Sequence, residues 1–187
     1  MEFCLHYTGK LKSSDNAAGK HRIRIALHEQ IERLCRETGF QAAFEDDWKE
    51  TRREGESPQY VEYDAKRFWF LGSESLKTVV DLDITMLVPY EVGAIVKNGG
   101  DLDNRIKTLF DALRAPAVAA EIPTNDSFDY KNGMYCLLQD DKLINKVAIQ
   151  AFRDFSPVDS DCVRCTIKVT TKITRLLWAT YIFFSQS

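Results

Sequence analysis

The sequence predicts an α+β fold, a small mixed β-sheet with helices packed mainly on one face. Three observations carry this. Residues 78–88, TVVDLDITMLV, alternate apolar and polar side chains with the period of a strand. Residues 101–113, DLDNRIKTLFDAL, place Leu102, Ile106, Leu109, Phe110 and Leu113 on one stripe at helical spacing. Along the chain the elements run strand, helix, strand, helix, strand, strand, an order that fits neither a regular βαβ repeat nor an all-β sandwich.

Taken in order, residues 2–8 predict a first strand, followed by a polar loop containing Ser13, Ser14, Asp15, Asn16 and Gly19. Residues 21–37 predict a helix, because Ile23, Leu27, Ile31 and Leu34 recur at helical spacing and Gly39 stands just beyond as a stop. The charged stretch 41–59 reads as a loop or insertion ending in Gly55 and Pro58. Tyr60–Leu71 holds five aromatics and is expected to be a strand or an ordered excursion against the core. Pro89 ends the strand 78–88, and Pro116 stands beyond the helix 101–113. Residues 115–135 form a long connection, of a length that is often functional or mobile. An apolar pair, Leu137 and Leu138, precedes Asp140 and Asp141; strands are expected at 143–152 and 162–173. The apolar tail 176–187 fits a further strand, a docked helix or an interface. The 187 residues suit a single domain with these extensions.

Composition excludes several classes. Apolar residues make up 44%, enough for a core, and the 28% charged fraction argues against wholesale disorder. A net charge of −3 lacks the strongly basic balance of many nucleic-acid binders, although a basic face can coexist with an acidic site. Five cysteines at irregular spacing do not form a secreted disulfide framework. Cys162 and Cys165 read CxxC but lie on an alternating segment, where residues three apart point to opposite faces. The first residues do not resemble a signal peptide, and no apolar run reaches membrane-spanning length. The expectation is a cytoplasmic protein without a membrane partner or an organic cofactor.

The segment Asp101-Leu102-Asp103-Asn104-Arg105-Ile106-Lys107 bears the chemistry. Asp103 and Lys107 are four apart and share a helix face. Asp101 stands at the helix start, so two carboxylates crowd the positive end of the helix dipole. Carboxylates held close repel unless a proton or cation intervenes. An all-oxygen ligand set favours Mg²⁺ or Mn²⁺, and Mg²⁺ keeps open positions for water and phosphate. That chemistry suits phosphodiester hydrolysis. The plainer alternative is a helix-capping Asp101 with an Asp103–Lys107 ion pair. A second DLD, Asp81 to Asp83, is read as the solvent side of a strand.

The order DLDNxxK, then Phe110-Asp111-Ala112-Leu113, then an apolar pair with Asp140-Asp141 before a strand resembles the RusA-type Holliday junction resolvases. The resemblance covers residues 101–113 and 137–150. It implies a homodimeric, Mg²⁺-dependent endodeoxyribonuclease acting on branched DNA in recombination and repair. Asp101, Asp103 and Asp141 are then the metal ligands, and Lys107 is required for cleavage. Lys107 either sits beside the scissile phosphate or balances charge among the acids. Asp140 is an auxiliary candidate, and Asn104 and Asp111 are structural supports of the helix. The family's arginine-rich run before DLDN is replaced here by VGAIVKNGG, in which Lys97 is the one base. That change keeps open a second reading, a DNA-binding module of the same fold with lost or altered nuclease activity. Residues 10–24 carry Lys10, Lys12, Lys20, Arg22 and Arg24 against one acid, Asp15, and are the expected phosphate-contacting element. Trp69 is expected in the core rather than stacked on bases. His6, His21 and His28 form no metal-ligand spacing.

Overall fold

A computed structural model describes residues 1–40, 59–89, 102–156 and 162–175. Residues 41–58 of the charged insertion, Asp101 and the apolar tail 176–187 lie outside the described residues. The elements are β1 (Glu2–Lys10), α1 (Ala17–Glu37), β2 (Tyr60–Tyr63), β3 (Lys66–Gly72), β4 (Thr78–Val88), α2 (Leu102–Leu113), β5 (Met134–Leu138), β6 (Ile144–Arg153) and β7 (Cys162–Ile173). Two short 3₁₀ turns, Ala119–Glu121 and Asp141–Leu143, precede β5 and β6.

The fold is α+β, but the expected single sheet is two. One has the order β1-β7-β4-β6, and the other β2-β3-β5. Both are mixed. In the first, β7 runs antiparallel to β1 and β4, while β4 and β6 are parallel. In the second, β2 and β3 form an antiparallel hairpin and β5 runs parallel to β3. Among the described residues, no helix is long and apolar enough to cross a membrane.

The four-stranded sheet follows its alternation closely. Val80, Leu82, Ile84, Met86 and Val88 of β4 are buried together with Val163, Cys165, Ile167 and Val169 of β7. α1 and α2 contribute Ile23, Leu27, Ile31, Leu109 and Leu113 to the same core. The opposite face carries Asp81, Asp83, Arg164, Lys168 and Lys172. Cys165 is buried and Cys162 half-buried on opposite faces of β7, and both are free thiols.

The smaller sheet is apolar on both faces, which is why β5 is a run of five buried residues rather than an alternation. Trp69, Leu71, Tyr135 and Leu137 face the main core. Phe68, Phe70, Met134 and Cys136 face a second cluster covered by Ile122, Phe128 and Tyr130 of the long connection. That connection is therefore a packed cover. Its end is fixed at Gly133, whose φ is +76° and where a Cβ would lie 2.6 Å from the Trp69 indole nitrogen. Gly133→Ala is expected to lower stability by about 1–3 kcal/mol through backbone strain and this clash. Urea denaturation measures it, and an unchanged midpoint would contradict the reading.

Candidate nuclease site

α2 begins the site. Leu102 is half-buried and Ile106 buried, so the apolar stripe fixes the rotation of the helix and leaves Asp103 and Lys107 exposed on another face. Asp141 opens the 3₁₀ turn before β6, and that turn packs against both α2 and β4. Asp103, Lys107 and Asp141 thus stand on adjoining elements, although they are distant in sequence. Asp141 is exposed. Asp140 is committed to local structure: its carboxylate accepts the Lys142 N–H at 3.0 Å and caps the turn. Lys142 in turn pairs with Glu74 at 2.8 Å. Among the described residues, no three His, Cys, Asp or Glu side chains form a metal-binding group; Asp101 is outside that set.

The basic residues expected to meet phosphate divide into two groups. Lys10, Lys12 and Arg22 are exposed. Lys20 is partly exposed and pairs with Asp111 at 2.6 Å. Arg24 corrects the expectation. It is only 1% exposed, and its guanidinium donates to the carbonyls of Arg114 (3.0 Å) and Asp111 (2.9 Å). An arginine without accessible surface does not reach a phosphate; Arg24 instead satisfies carbonyls at the C-terminal end of α2. Asp111, read as a helix support, holds Lys20 and also accepts from Arg114 at 3.2 Å.

Arg105 is the residue that sequence reasoning passed over. Its Nη1 donates to the carbonyl of Leu11 at 2.6 Å, tying the β1–α1 loop, which carries Lys12, to the helix that carries Asp103. No sequence signal marks it, because a side chain bonded to a backbone carbonyl leaves no pairing pattern.

Asp81 and Asp83 lie on the polar face of the larger sheet, as expected. They line a cleft of about 140 Å³ with Lys146, Ala148, Lys168 and Thr170. Several charges on this face are paired. Asp81 accepts from Asn145 at 2.8 Å and bonds Lys172; Lys168 pairs with Glu2 at 3.2 Å and Arg164 with Asp154 at 2.7 Å. Trp69 is in the core, donating its indole N–H to the Asn132 carbonyl.

His21 and His28 are buried. The Nδ1 atom of His21 faces Arg24 at 3.4 Å, and a guanidinium can only donate, so the His21 proton sits on Nε2. That nitrogen is 3.2 Å from the carboxylate of Asp126. Burial pushes the His21 pKa below its ordinary 6.5, outweighing the pull of Asp126. The contact is therefore a hydrogen bond from an uncharged imidazole to a carboxylate rather than an ion pair. Burial alone would raise the Asp126 pKa, but the Tyr130 hydroxyl, the Phe128 amide, His21 and Lys66 bring it below the usual carboxylate value. His28 Nδ1 accepts the Tyr135 backbone N–H at 2.9 Å, and burial lowers its pKa too.

These shifts have a sign. The unfolded chain protonates its histidines near the ordinary 6.5, before the folded chain does. Stability present above that pH is therefore lost as pH falls below it. The urea midpoint is expected to be lower at pH 5 than at pH 7.5. In His28→Gln, whose amide oxygen can accept from Tyr135, the difference should shrink. A pH dependence of full size in that variant would place the effect elsewhere.

A comparison with models of known protein families finds no match, and no curated protein matches the chain either. Fold and residues together define an α+β protein with an exposed acid, Asp103, at a helix start and a loop carrying Lys12 bound to the same helix.

Proposed function

We propose that this protein is a Mg²⁺-dependent endodeoxyribonuclease of RusA type that cleaves branched DNA by phosphodiester hydrolysis. The observation that supports it best is the packing of the Asp141 turn against α2, which carries Asp103 and Lys107. Asp103 and Asp141, with Asp101, are the residues that would hold the ion. Mg²⁺, or Mn²⁺ in its place, would supply an activated water and neutralise phosphate charge. Lys107 shares the exposed helix face with Asp103, where it can stabilise charge developing on the phosphate. Lys10 and Lys12 are exposed and would meet flanking phosphates, which fix the position of the substrate without reading its sequence.

The homodimer belongs to the same reading. Among the described residues β6 is an edge strand; it exposes Val147 and Phe152, and Phe155 just beyond it is 82% exposed. A long edge strand with exposed apolar side chains is a surface that a second copy can cover. Two copies related by a twofold axis would place two sites for two strands.

The test is incubation of the purified chain with a four-way DNA junction, with and without Mg²⁺ or Mn²⁺. Metal-dependent nicked products are expected. A junction that is retarded at low salt but never cut would instead favour a binding module of this fold, and absence of both removes the proposal.

A further inference from the structure

The loop between β1 and α1 is held on both sides of Lys12. The Tyr7 hydroxyl donates to the Lys10 carbonyl at 2.8 Å. Its ring lies over Gly9, where a Cβ would sit 2.6 Å from the hydroxyl oxygen. One residue further, Arg105 donates to the Leu11 carbonyl at 2.6 Å, and the Leu11 side chain is buried. At the far end Asp15 rests on Gly19, where a Cβ would be 1.9 Å from its carboxyl carbon. Asn16 caps α1 by accepting the Gly19 N–H at 3.0 Å. Lys12 is exposed between these anchors.

Helix geometry sets where this loop stands. At about 100° per residue, Arg105 points roughly 160° away from both Asp103 and Lys107 around the α2 axis. The loop and Lys107 therefore flank opposite sides of one helix start. Asp103 lies on the Lys107 side, so a DNA strand whose phosphate meets a metal at Asp103 would cross the start of α2 to bring a neighbouring phosphate to Lys12.

We infer that Arg105 is a positioning residue for DNA: it ties the loop to α2 so that Lys12 meets a backbone phosphate on the flank opposite Lys107. The inference rests on the nuclease reading for the nature of the substrate. Arg105 acts through the loop and contacts no phosphate itself. A lysine on a tethered loop loses less conformational freedom on binding than one on a free loop, so the tether appears as affinity.

The experiment measures binding of a labelled four-way DNA junction in Ca²⁺ across a salt series. The proteins are wild type, Lys12→Gln, Arg105→Met, Arg105→Lys and the Lys12→Gln/Arg105→Met double variant, each checked by its thermal midpoint. Each of the two single losses is expected to weaken binding about 3–10-fold and to reduce the slope of log Kobs on log salt by about one. The double variant should bind within about twofold of Arg105→Met, because both changes remove one shared contact. Arg105→Lys, which keeps a donor for the Leu11 carbonyl, should recover most of the affinity. Multiplicative losses in the double variant would overturn the inference. So would unchanged binding by Lys12→Gln, an exposed change that does not threaten folding. Coupling in binding without cleavage by wild type in Mg²⁺ would sink only the nuclease reading; cleavage without coupling would sink only the role of Arg105.

Discussion

Asp103→Asn is expected to abolish Mg²⁺-dependent cleavage, by about three orders of magnitude or ~4 kcal/mol of transition-state stabilisation. Junction binding in Ca²⁺ should change far less, since Lys10 and Lys12 remain. The substitution keeps volume and removes one negative charge. Asp103 is exposed in the first turn of α2, where an acid interacting with the helix dipole contributes only about 0.3–1 kcal/mol to folding. Loss of rate and retention of fold are therefore separable at this position. Single-turnover rates with saturating protein measure the chemical step. Asp141→Asn should behave alike, being exposed on the turn that packs against α2. Asp140→Asn is the informative contrast. Asparagine caps a turn as well as aspartate does, so the bond to the Lys142 N–H is kept. If Asp140 serves the turn alone, its variant should stay within about threefold of wild type, a small fraction of the three decades expected for a lost ligand. A loss equal to that of Asp103 would make it a ligand, and wild-type rates in Asp103→Asn would remove the site altogether.

What the sequence disclosed depended on whether an element is buried on one face or two. β4 and β7 each bury one face, and their alternation matches the observed spans, Thr78–Val88 and Cys162–Ile173. α2 was legible for the same reason, with period 3.6 in place of two. β5 is buried on both faces, so MYCLL carries no alternation and only its apolar pair, Leu137 and Leu138, was recognised. The aromatic hairpin was hidden by its turn. Asp64 and Ala65 adopt φ of 49° and 61°, a geometry usually signalled by Asn-Gly or Asp-Gly rather than Asp-Ala. α1 starts at Ala17 rather than residue 21 because the Asn16 cap initiates it before the apolar spacing begins at Ile23. At the site, acid spacing pointed to α2. The burial of Arg24 and the grip of Arg105 were not legible, since both act on carbonyls about ninety residues away in the chain.

Arg24→Met should cost about 3 kcal/mol of folding stability, or roughly 6–12 °C in Tm for a chain of this size. Burial draws the Arg24 pKa below its ordinary value, so the charge itself is a cost to the folded state and methionine relieves it. The larger effect runs the other way. Without the guanidinium, the carbonyls of Asp111 and Arg114 and the Nδ1 atom of His21 lose their donor inside the protein. A buried acceptor left unsatisfied costs about 1–3 kcal/mol, so several of them outweigh the desolvation that is recovered. The same guanidinium places a positive charge at the C-terminal end of α2, where the helix dipole favours it. Lysine should not rescue the loss, because a compact ammonium on a flexible stem cannot span two carbonyls and an imidazole as a planar fork does. Guanidinium denaturation of wild type, Arg24→Met and Arg24→Lys decides this. A loss below about 1 kcal/mol in Arg24→Met would mean that water or a shifted helix end satisfies those acceptors. The loss should be seen in stability first, and in cleavage only as far as the far end of α2 moves Asp103.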